Sequence, residues 1–123
     1  MSASEFQKGI QDLFSKGLVS GVAIIDANKQ IVWKHPDTWA PPVNEIFNTW
    51  SSKDITGFEV GGIRFAVIDR VDERFIAMNM SGQGGFIVVK LPKNSGFLLA
   101  FVPPGQNIHE IYTDIAKVAS SYK

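Results

Sequence analysis

Apolar residues in the middle of the chain come in short runs separated by polar or glycine-rich breaks, the pattern of consecutive antiparallel strands. Ile63 to Asp69, Phe75 to Met80, Phe86 to Leu91 and Phe97 to Val102 are each of strand length and rich in Ile, Val and Phe. Phe58 to Val60 is a short strand ahead of them, and Gly61-Gly62 marks a tight turn or bulge. Upstream, Val19 to Asp26 and Gln30 to Lys34 form a hairpin about the turn Asp26 to Lys29. Three segments carry helical period instead. In Ser4 to Lys16, Phe6, Ile10, Leu13 and Phe14 make one apolar face, with Ser4 as N-cap and Gly17 as stop. Gly9 costs that helix about 1 kcal/mol relative to alanine. Val43 to Ser51 is a short helix entered through Pro41-Pro42. Pro104 to Tyr122 has the strongest helical signal, with Ile108, Ile111, Tyr112, Ile115, Val118, Ala119 and Tyr122 on one stripe.

The order helix, two strands, helix, five strands, helix predicts an α+β domain. Its centre is an antiparallel sheet of six to seven strands, flanked by N- and C-terminal helices and a short internal helix. The length, 123 residues, fits one domain spanning 1–123. Lys plus Arg and Asp plus Glu both total 12, a balance that argues against a general nucleic-acid binder. With no cysteine there is no disulfide framework, thiolate metal site or Cys nucleophile. Met1 to Lys8 has no apolar signal core, and no apolar run reaches the roughly 18 residues of a membrane span, so a cytoplasmic protein is expected.

Catalytic signals are poor, and neither an enzyme activity nor a cofactor is expected. His35 and His109 stand in no recognisable metal spacing; they read as a solvated loop residue and a helix-surface residue. Ser81-Gly-Gln-Gly-Gly85 matches no phosphate-loop spacing and leads into a strand, so it reads as a hairpin turn. The competing reading, a small-ligand enzyme using that loop, rests on its glycines alone. Binding signals are better. Trp50 fits the apolar face of its helix and reads as core. Trp33 is either core or an exposed platform, and Phe6 either core or part of a patch. If the terminal helices lie side by side on one sheet face, Phe6, Trp33 and Tyr122 fall in a single aromatic cluster.

The ordered set of segments resembles the profilins over nearly the whole chain. T-G-F-E-V-G-G-I-R-F-A-V-I (Thr56 to Ile68) is similar to the profilin strand–turn–strand, and G-G-F-I-V-V-K (Gly84 to Lys90) to a later strand. A G-x-A-I-I first strand and a tryptophan in the second complete the likeness. The resemblance implies a monomeric protein, cytoplasmic and cytoskeleton-associated, that binds monomeric actin and regulates filament assembly. By position it implies actin contacts at Arg64, Arg70, Met80, Lys90, Asn107 and Ile111. Asp69 stands where the family carries a basic residue, and so do Met80 and Ser81. The family's second site, for proline-rich peptides, maps to Phe6, Trp33 and Tyr122. Phe6 stands alone where the family commonly has a Trp and a Tyr, and Lys117 lies where it often has His or Tyr. Family binding of phosphoinositide head groups requires a basic patch, and in sequence the Lys and Arg are scattered. These departures point to a distant, archaeal kind of profilin. The alternative is a roadblock-type scaffold, a dimer serving small GTPases, which shares the terminal helix and the G-V-A-I-I-D strand and hairpin.

Overall fold

The computed structural model describes residues 2–122, with side chains from residue 5 onward. The elements in chain order are α1 (Ser2–Ser15), β1 (Gly21–Asp26), β2 (Ile31–His35), α2 (Val43–Ser51), β3 (Gly57–Val60), β4 (Ile63–Val71), β5 (Arg74–Met78), β6 (Gly85–Lys90), β7 (Gly96–Val102) and α3 (Ile108–Ser120). The seven strands form one sheet in the order β2-β1-β7-β6-β5-β4-β3, and every neighbouring pair is antiparallel. β3 to β7 is a plain meander. The N-terminal hairpin joins its far end through β1, with Val22 opposite Ala100 and Ile24 opposite Leu98.

Alternation along the strands sends side chains to two separate cores. Val22, Ile76, Ile87, Val89, Leu98, Ala100 and Val102 face the terminal helices and meet Phe6, Ile10, Ile111 and Ile115. Ala23, Ile25, Phe65, Phe75, Phe86, Val88 and Leu99 face the other way, under Ile46 and Phe47 of α2. Because helices cover both faces, β6 is apolar at every position before Lys90 and does not alternate with polar residues.

Two glycines are explained by close packing. A Cβ on Gly9 would stand 2.9 Å from a Val118 methyl, so the helix-weakening residue lets α3 lie against α1. A Cβ on Gly21 would stand 2.8 Å from the Trp39 ring, which packs the 36–42 loop onto β1. The β1–β2 turn is closed by Asp26, whose Oδ1 accepts from the backbone N–H of Asn28 and of Gln30, each at 2.9 Å.

Several boundaries differ from the sequence expectation. α1 begins before Ser4, and β1 begins at Gly21, not Val19. α3 begins at Ile108, not near Pro104, because Asn107 caps it: its side chain accepts from the N–H of His109 and Glu110. His35 closes strand β2 and is not a loop residue. Trp50 is half-buried, its indole N–H donating to the Val71 carbonyl at 2.8 Å.

Candidate functional site

The terminal helices pack side by side over β1, β6 and β7, and a groove of about 910 Å³ opens between α1 and β2. Phe6, Phe14, Trp33, His35 and Tyr122 line it. Trp33 is 42% exposed, so it is a platform and not core. Phe6 is buried and supports Tyr122 edge-on, with ring centroids 4.9 Å apart. The structure thus brings the three expected residues together. It adds two that the sequence reading missed. His35 lies parallel to Trp33 at 6.5 Å and edge-on to Phe14 at 5.0 Å. The signal for His35 was its spacing: two residues along a strand from Trp33, it shares that face. Phe14 was visible as part of the α1 stripe.

The second surface is the β3–β5 half of the same sheet face. α3 packs chiefly on β6 and β7, leaving this half open. Arg64 projects here, with a terminal nitrogen beside the Gly57 backbone. Ala66, Ile68 and Met78 are half-buried around it, and Met80, just beyond β5, is 76% exposed. Arg74, the first residue of β5, supplies a second cation. It is ion-paired to Asp69, and its guanidinium carbon lies 5.3 Å from the Tyr112 ring centroid. The Asp69 hydrogen bond, followed by Tyr112, raises Arg74 further above its ordinary range. Raising the pKa favours the charged form, so Arg74 contributes no pH dependence near neutrality.

Four expected contact residues do not stand free on this surface. Ile111 is 2% exposed and belongs to the core stripe of α3. The Asn107 side chain is engaged in capping α3. Arg70 points to the α2 face, where its guanidinium donates to the carbonyls of Thr49, Ser52, Ile55 and Lys53 at 2.6–3.0 Å. Lys90 lies opposite Phe97 and also points to the α2 face. Among the described residues no group of three or more His, Cys, Asp or Glu is arranged to hold a metal ion. The Ser81–Gly85 loop is a hairpin turn tied down by Asn79, whose side chain donates to the Arg64 carbonyl and accepts from the N–H of Ser81 and Gln83.

A seven-stranded antiparallel sheet with both terminal helices on one face and a short helix on the other is the profilin fold. In sequence the chain is similar to archaeal profilins. No protein-family profile matches it. It is 28% identical to Heimdall profilin of a Heimdallarchaeota archaeon over 79 residues, which are 64% of this chain and 65% of that protein. It is 26% identical to Odin profilin of Odinarchaeota yellowstonii over 103 residues, 84% of each. LokiProfilin2, solved in complex with rabbit actin, superposes with a TM-score of 0.76 at 24% identity, covering 92% of this chain and 91% of that one. LokiProfilin1, also solved with rabbit actin, gives 0.75 at 20% identity, covering 94% and 92%. Mouse profilin IIa, solved with a double repeat from the FH1 domain of mDia1, gives 0.58 at 15% identity, covering 88% of each chain.

Proposed function

We propose that this protein is a one-domain, actin-monomer-binding regulator of filament assembly that works by binding and not by catalysis. The observation that carries the reading is its close match in fold, over more than nine-tenths of its length, to two archaeal profilins solved bound to actin. The contact surface is the open β3–β5 face. In its favour are the exposed Met80, the half-buried apolar strip beside it and the two arginines on one side of the sheet. An apolar centre with a charged rim suits a protein partner, the rim acting mainly on association rate and specificity.

The aromatic groove is a second site, for proline-rich peptides. Such peptides present a preformed extended helix that rings clamp at little entropic cost. Support comes from the clustering of five rings, Phe14 and His35 among them, and from the mouse profilin solved with an FH1 repeat. These two sites favour the profilin reading over a roadblock-type scaffold. No helix among the described residues is long and apolar enough to cross a membrane; we place the protein in the cytoplasm with the actin cytoskeleton.

Sedimentation velocity of the protein mixed with monomeric actin tests the proposal. A complex of one chain with one actin is expected, and two separately sedimenting species at micromolar concentrations would refute it.

A further inference from the structure

On the α2 face, away from both sites described above, a cleft of about 420 Å³ lies between the end of α2, the β1–β2 turn and the β6–β7 end of the sheet. Its floor is aromatic. Phe47 stacks with Trp50 at 5.8 Å, and Phe97 meets both edge-on at 4.8 and 5.5 Å. Its walls are cationic: Lys29, Lys53, Arg70 and Lys90 gather here, four of the chain's 12 basic residues, with Asp72 as the one carboxylate in the lining. The sequence alone gave these residues as scattered; the fold collects them. The Lys29 ammonium lies 5.5 Å from the Phe47 ring centroid. Among the described residues, the ion pair of the molecule is Arg74–Asp69, and none of the three lysines takes part in one.

We infer that this cleft docks an acidic peptide segment carrying an apolar anchor residue. Charge complementarity sets the sign of the partner, and the Phe47–Trp50–Phe97 floor supplies a place for the anchor. The form of the positive charge selects carboxylates spread along a chain over a compact phosphate. The helix end beside the cleft is the C-terminus of α2, so the cleft has none of the free backbone N–H groups by which a helix N-terminus holds a phosphate. The Arg70 guanidinium is already committed to four carbonyls there, and the remaining cations are three separate, flexible lysines. Since the sheet separates the cleft from the Arg64 face and from the aromatic groove, this docking is independent of both.

Fluorescence anisotropy with a labelled peptide of alternating Glu and Phe tests it. Saturable micromolar binding that weakens with salt is expected. Lys29→Glu with Lys90→Glu should raise Kd at least tenfold. Lys8→Glu with Lys16→Glu, the same charge change at exposed positions on α1 and just after it, should leave it within twofold, as should Trp33→Ala. No saturable binding, or equal losses in both double variants, overturns the proposal. So does displacement of the peptide by inorganic pyrophosphate or by phosphoinositide vesicles at concentrations below the peptide's own Kd, which would assign the cleft to phosphate.

Discussion

Arg64 and Lys90 stand on opposite faces of the same sheet. Arg64 neighbours Phe65, a core residue of the α2 side, and so projects to the terminal-helix side. Lys90 pairs with Phe97 and lines the cleft beside α2. One partner surface cannot use both. Arg64→Glu is therefore expected to weaken binding of monomeric actin about tenfold or more, mainly through the association rate. Lys90→Glu should leave it within twofold. Surface plasmon resonance on immobilised actin monomers reads both, and equal losses would mean that the contact face is misassigned.

Trp33 is 42% exposed at the wall of the groove, so removing it tests binding more than folding. Trp33→Ala should cost a proline-rich peptide about 2 kcal/mol, roughly thirtyfold in Kd. The thermal midpoint should stay nearly unchanged. Tryptophan-independent calorimetry with a proline decamer is the measurement, and unchanged affinity would remove Trp33 from the groove's function.

Arg70 tests the other half of the reassignment. Its guanidinium holds the carbonyls at the end of α2 and in the segment leading to β3. Arg70→Ala should destabilise the fold by at least about 2 kcal/mol in urea denaturation, as expected when charged hydrogen bonds are lost and carbonyls are left unpaired. Arg70→Lys should recover less than half of that, since an ammonium lacks the planar fork. A fully stable Arg70→Ala variant with weakened actin binding would return this residue to the partner surface.

Gly21 carries the packing of the 36–42 loop. Gly21→Ala should cost about 1–3 kcal/mol, because the Trp39 ring must move off β1. Urea denaturation followed by tryptophan fluorescence reads this directly; a variant as stable as the parent would show that the ring yields freely.

The elements were legible because periodicity reports them well: two on the strands, three and four on α1, α2 and α3. Which face a residue takes was less legible, and the reason is specific. Counting by twos from Arg64 puts Arg70 on the same side. An irregularity between Val67 and Asp69 inserts one residue, which turns Arg70 to the α2 side and leaves Asp69 beside Arg74. In β6 no polar alternation marks the parity of Lys90, since both faces are buried. Ile111 shows a different conflict: its place in the apolar stripe of α3 already assigned it to the core, and the stripe is the stronger signal. The groove was foreseen from Phe6, Trp33 and Tyr122. The share of His35 in it depends on β2 running one residue past the expected Lys34.

The central claim is tested most directly by spontaneous assembly of pyrene-labelled actin with increasing amounts of this protein, its solution mass measured alongside. The account predicts a monomer that slows assembly in proportion to its concentration, and an Arg64→Glu variant that does so less. Assembly unchanged at several-fold excess, or a stable dimer in solution, would contradict it.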